Sequence, residues 1–264
     1  MLSGFRYFVG TKAVVLSAWV LTAGAAAAGG LSVAPVSLEF GPGDSGQKIW
    51  LSNPGTEPIR AQVRVQEWTQ LNGVDRLAPT RDLVASPPFV ELSSGEKQLV
   101  RIVRIEVASH AVERAFRLII DELPGVESLS SDSSFVPHNG EGLQFQLRYS
   151  VPVFVSSSRL KEPNGKPSDL SAIAAVLRVG GQFPVLQITN DGDRRLRISQ
   201  LTHIDLKGKR TTLAAGLLGY VLGKQKMEWV LKNMPLSLVG SGVIKAKFNA
   251  DLEEQTLPVL ASRS

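Results

Sequence analysis

The sequence predicts an all-β protein made of two β-sandwich domains of immunoglobulin-like size in tandem, on three observations. Short runs of alternating or β-rich residues recur past residue 30, each closed by turn chemistry. Little helical periodicity separates them. One ten-residue pattern also occurs twice, LSNPGTEPIR from Leu51 and ITNDGDRRLR from Ile188, 137 positions apart. That spacing suits a repeated domain rather than a solenoid unit; the alternative is chance likeness between two common Asn-x-Gly turns.

The elements follow in order. Residues 1–28 place Arg6 and Lys12 ahead of an apolar run from Ala13 to Ala23 and a small-residue tract, the layout of a secretory signal peptide. The competing reading is a single membrane anchor, but the run falls short of about 20 strongly apolar residues. Cleavage predicts no stable membrane insertion afterwards. Residues 29–156 form the first domain, with LSVAPVSLEF, KIWLS, IRAQVRVQEWTQ, QLVRIVRIEV and FRLIIDEL as its strands. In IRAQVRVQEW, Ile59, Ala61, Val63 and Val65 alternate with Arg60, Gln62, Arg64 and Gln66, which describes a strand with one wet face. The two Asn-x-Gly segments read as hairpin-type turns, because Asn and Gly tolerate positive φ. A Ser-, Pro- and charge-rich stretch marks a linker over 157–170, and residues 171–264 form the second domain. There AAGLLGYVL and GKQKMEWVL read as strands, since Gly216, Gly219 and Gly223 would weaken a helix.

Composition narrows the function. The 264 residues include no cysteine, which excludes a thiol nucleophile, disulfides and Cys-based metal sites. A formal charge of +5 without clustered basic and aromatic residues does not suggest nucleic acid. His110, His138 and His203 stand apart from one another and from any motif. Asp121 and Glu122 are adjacent, so on a strand they point to opposite faces and cannot cooperate as acid and base. Asp191-Gly192-Asp193 lacks the further ligand spacing of a calcium loop. The expectation is a binding protein with no catalytic residues, cofactor or metal.

The sharpest signal is GLQFQLRYSVPVFV, from Gly142 to Val155. Leu143, Phe145, Leu147, Tyr149, Val151, Val153 and Val155 occupy every second position, with Gln144, Gln146, Arg148 and Ser150 opposite. A Ser-, Asp- and Gly-rich tract precedes it. An apolar strand of this kind at a sheet edge can be lent to another chain by β-augmentation. A long central strand completing its own core is the alternative. Pro152, which cannot donate to a ladder, favours an edge or a bulge. A secreted adhesive or carbohydrate-binding sandwich is a further reading, although Trp50, Trp68 and Trp229 are scattered instead of forming a platform.

The succession LSVAPVSLEF, LSNPGTEP, SPPFVELSSGEKQLVRI, FRLIIDELPG, a Ser-rich loop and the alternating strand resembles the periplasmic chaperones of chaperone-usher pilus assembly. The likeness is to the divergent archaic, spore-coat-U-associated branch. It covers about Leu31 to Ser156 and continues more weakly through ITNDGDRRL. The resemblance implies a boomerang of two immunoglobulin-like domains that resides in the periplasm, binds pilus subunits by donating the strand around 143–151, and delivers them to an outer-membrane usher. Leu143, Phe145, Leu147 and Tyr149 are then the residues offered to the subunit. The family anchors the subunit's terminal carboxylate with two basic residues, but the matching positions here are Ser37 and Ser150. Arg148, Arg117 and Arg101 are the candidate substitutes. An apolar edge of this kind can also be capped by a second copy in a homodimer.

Overall fold

The computed structural model describes residues 30–105, 110–124, 146–157, 167–179 and 181–263. The signal segment 1–28, Leu143 and Phe145, and most of the expected linker lie outside the described residues.

The chain builds two β-sandwiches in succession. Strands β1 (Ser32–Ala34), β3 (Gly46–Ser52), β8 (Lys97–Arg104) and β6 (Leu83–Ser86) form one sheet in the order β1-β3-β8-β6. Facing it are β2 (Leu38–Phe40), β10 (Arg148–Val155), β9 (Arg114–Leu123), β4 (Ile59–Leu71) and β5 (Val74–Pro79), with β7 (Phe89–Leu92) on the first half of β4. In the second sandwich, β15 (Gln225–Val230), β12 (Val185–Asn190), β11 (Ile173–Val179) and β18 (Val259–Arg263) face β14 (Arg210–Val221), β13 (Leu196–Ile204), β16 (Val243–Phe248) and β17 (Gln255–Leu257). AAGLLGYVL and GKQKMEWVL are strands, β14 and β15.

Period-two patterning explains the two cores. Ile49 and Leu51 of β3, Ile59, Ala61 and Val63 of β4, Leu118 and Ile120 of β9, and Val151, Val153 and Val155 of β10 fill the first. Ile188 of β12, Ile198 of β13 and Phe248 of β16 belong to the second. Each fully buried aliphatic side chain contributes about 1.5–3 kcal/mol, so the sandwiches stand without disulfides.

The duplicated Asn-x-Gly segment is one device used twice, though not as a hairpin. Asn53 links β3 to β4, and Asn190 links β12 to β13, each pair lying in opposite sheets. Neither Gly55 nor Gly192 has positive φ. The turn is held instead by the buried asparagine, which accepts from the glycine N–H two residues on at 2.9 Å in both copies. Its amide donates to the carbonyl four residues on, Glu57 or Arg194, at 2.7 Å. A further bond runs across the core to Leu92 O at 3.1 Å or Val221 O at 3.0 Å. Asparagine is required for its short amide, which serves three backbone groups from a buried position.

Removing the amide strands those groups at about 1–3 kcal/mol each. Asn53→Ala and Asn190→Ala are therefore expected to lower stability by about 3 kcal/mol apiece, read as a drop in the urea midpoint at constant slope.

Candidate functional site

The chain divides its first two strands between the sheets, and this division creates the site. β1 pairs with β3 in one sheet, whereas β2 crosses over to pair in parallel with β10, matching Leu38–Phe40 to Val153–Val155. On its other side β10 is paired with β9 along its whole length, from Arg148 opposite Asp121 to Val155 opposite Arg114. The stretch Arg148–Pro152 thus has one ladder, and among the described residues its second edge is bare. Pro152 is the last position before β2 joins, where a missing N–H costs nothing.

The side chains of β10 divide by face. Tyr149 and Val151 turn toward the first core, where Val151 is buried and Tyr149 packs against the cluster. The Tyr149 hydroxyl donates to the Leu31 carbonyl. Burial first, and then the charge of Glu122, push this phenol above its ordinary pKa. Leu147 precedes the strand and is 40 % exposed, while its carbonyl accepts from the Glu122 N–H at 3.0 Å and so extends the β9 ladder by one residue. Glu122 in turn is raised by burial alone.

The other face, Ser150, Pro152 and Phe154, lines a cleft of about 1850 Å³ between the two sandwiches. Ser37 and Arg117 line it from the first domain, and Leu217, Tyr220 and Trp229 from the second. The floor is an aromatic seam: Trp68 and Tyr220 meet edge to face at 5.7 Å, and Phe154 lies 5.4 Å from Tyr220. Such pairs add about 0.5–1.5 kcal/mol beyond their burial. Arg195 stacks on Phe154 at 3.7 Å and is neutralised by Glu113 at 2.6 Å and by Glu39. Burial pushes the Glu113 carboxyl up, against the attraction of Arg195.

The three candidate arginines fall in different places. Arg101 is exposed on β8, in the sheet that does not contain β10, and does not line the cleft. Arg148 is 68 % exposed and pairs with Asp121 at the strand edge. Arg117 points into the cleft, its guanidinium 3.7 Å above the Trp68 ring, and makes no ion pair among the described residues. Burial pulls its pKa down, countered by Asp75 and Tyr220. The site therefore combines a half-bare strand with an adjoining cleft that contains a stacked, unpaired guanidinium, and Ser37 and Ser150 contribute hydroxyls to the same cleft.

Sequence reasoning missed the seam and the Glu113–Arg195 pair. One signal was present for the seam. Trp68 and Gln70 continue the wet face of β4 in strict alternation, yet they are 2 % and 7 % exposed because the second domain covers that end.

Residues 30–161 match the family of pili and flagellar-assembly chaperones, through the PapD N-terminal domain. The chain belongs to this family. No protein with a curated description matches it. Among solved structures, a chain of the CsuC-CsuE chaperone-tip adhesion subunit pre-assembly complex from archaic Csu pili of Acinetobacter baumannii is 22 % identical, with a TM-score of 0.63 over 88 % of this chain and 99 % of that one. The Escherichia coli chaperone DraB is 16 % identical, with a TM-score of 0.56 over 88 % and 97 %. The Salmonella enterica SafA pilin–SafB chaperone complex gives 16 % identity and 0.58 over 86 % and 95 %. These likenesses share the fold, two immunoglobulin-like sandwiches in tandem, and the chain is a pilus-assembly chaperone.

Acid should loosen the exposed end of the chaperone's β10. Burial works to raise Asp121, but hydrogen bonds from Arg148 and Arg64 outweigh it and hold the carboxyl below the usual range. A depressed carboxyl contributes stability that is complete above its unfolded pKa, about 3.9, and is lost as pH falls through the folded value. The protection factor of the Tyr149 amide, its exchange rate set against the intrinsic rate at the same pH, is expected to fall below about pH 4, and in Asp121→Asn to be lower already at neutral pH without that further fall.

Proposed function

We propose that the chaperone holds pilus subunits by strand donation. The observation that carries this reading is the bare edge of β10 over Arg148–Pro152, which leads back through exposed Leu147 into the alternating Leu143 and Phe145. An edge of this kind offers backbone N–H and C=O groups to an incomplete sheet, giving affinity through the main chain and specificity through alternate side chains. Leu143, Phe145 and Leu147 supply those side chains. Tyr149, already engaged with Leu31 and the first core, marks where the donated segment meets the chaperone's own sandwich.

Two of the solved relatives are named as pairs of chaperone and subunit, CsuC with CsuE and SafB with SafA. A fimbrial subunit is accordingly the partner proposed here. Its terminal carboxylate enters the cleft against Arg117, because a buried anion without a partner costs several kcal/mol and guanidinium binds carboxylate bidentately. The Ser37 and Ser150 hydroxyls complete the site. The chaperone works in the periplasm after loss of residues 1–28, with domains at 29–156 and 171–264 joined by 157–170, and hands its subunit to an outer-membrane usher. No cofactor is needed, since the better packing gained with the subunit's final partner strand drives release. Before a subunit arrives, a second copy can cap the same edge as a homodimer.

Co-expression in the periplasm with a fimbrial subunit of the archaic class, followed by co-purification, tests the reading. Phe145→Asp is expected to leave the chaperone folded and to abolish capture; unchanged capture would sink strand donation. Arg117→Ala removes a charge-assisted pair worth about 1.5–3 kcal/mol, so binding should weaken about 10- to 100-fold. Amidating the subunit's C-terminus should cost little further in that variant.

A further inference from the structure

The turn of the β4–β5 hairpin, Leu71 to Val74, does not end in solvent on every side. Gln70, only 7 % exposed, is inserted into the second domain. Its amide nitrogen donates to Tyr220 O at 2.8 Å and to Asp75 Oδ1 at 3.0 Å, and its amide oxygen accepts from Leu222 N–H at 2.9 Å. The backbone N–H of Gln70 donates to the Gln225 side chain. At the tip, Gly73 bridges to Met227, and its carbonyl accepts from Glu228 N–H at 3.2 Å. Gly73 has φ +79°, and a Cβ there would sit 2.6 Å from Glu228 Cγ. Glycine meets both requirements at once: it tolerates left-handed backbone and permits the close approach.

Two residues of this hairpin, Trp68 and Asp75, line the cleft. Trp68 lies two residues before Gln70 on the same face, packs on Tyr220 of the second domain, and carries the Arg117 guanidinium on its other contact. The backbone of Tyr220 is held by Gln70, and its ring by Trp68. Width of the cleft and placement of Arg117 thus depend on the same few contacts.

We infer that the β4–β5 hairpin is an interdomain strut in which Gln70 is a positioning residue, fixing the angle between the domains and with it the cleft that receives the subunit. Gln70 does not touch the subunit in this scheme. The first half of the inference is independent of strand donation, and the second half rests on that reading.

The cysteine-free chain permits clean double labelling. Spin labels at Glu91→Cys in the first domain and Lys209→Cys in the second report the interdomain distance by pulsed electron resonance. The otherwise unaltered protein should give one narrow distribution. Gln70→Ala, and Gln70→Glu, which keeps the shape but cannot donate to Tyr220 O when ionised, should broaden it. Gly73→Ala should do the same through the tip. Thr69→Ala, on the opposite face of the hairpin, should change nothing. Capture of the co-expressed archaic-class subunit should fall at least tenfold in the three strut variants while far-UV circular dichroism stays unchanged. A narrow distribution in Gln70→Ala and Gly73→Ala would overturn the strut. Broadened distances with undiminished capture would overturn its link to the cleft. If the unaltered protein captures no subunit, strand donation fails, and the distance measurement still decides the strut.

Discussion

A row of backbone groups without partners among the described residues, on one edge of β10 from Arg148 to Pro152, is the constraint on which the rest depends. Sheets ordinarily cover or charge such an edge, because it invites pairing with other chains. Here the first strand could have covered it. Instead β1 joins the opposite sheet, and only β2 returns to β10, over three residues. The core side of the exposed stretch is tied down by Tyr149 and Val151, so the edge is held rigidly and in register by a finished sandwich. A preorganised edge loses less conformational entropy on pairing than a floppy one would.

The second consequence is that β10 has no ordinary outer face. Past Ser150, both sides of the strand are buried: Val151, Val153 and Val155 by the first core, Phe154 by the aromatic seam with Trp68 and Tyr220. The strand is thus shared between an interior and an interdomain joint. The charges beside it follow suit. Arg195 is stacked on Phe154 and neutralised by acids from the first domain, whereas Arg117, stacked on Trp68, keeps its charge available to the cleft. One guanidinium joins the domains and the other faces the space between them.

Much of this was legible in the residues. Alternation in IRAQVRVQEW and in LRYSVPVFV located strands and their inward faces, since side-chain period in a strand is fixed by covalent geometry. The duplicated Asn-x-Gly segment located equivalent turns in two domains, although the physical reason differed: a buried amide bonding backbone across two sheets, where glycine conformation in a hairpin had been expected. The break in alternation at Val151–Val155 was the visible trace of a strand covered on both faces. Trp68, an aromatic on the otherwise polar face of β4, was the trace of a covering domain.

The sequence by itself determined the all-β class, the two-domain plan and the apolar rhythm of the segment that leads into β10, because those follow from local periodicity and turn chemistry. The tertiary structure alone decided which edge of that strand is left unpaired, which of Arg101, Arg117 and Arg148 faces the cleft, and that Gln70 reaches across to the second domain. These are questions of which distant segments lie side by side. Ladder pairing and interdomain contact join residues separated by scores of positions, and no local pattern encodes the partner.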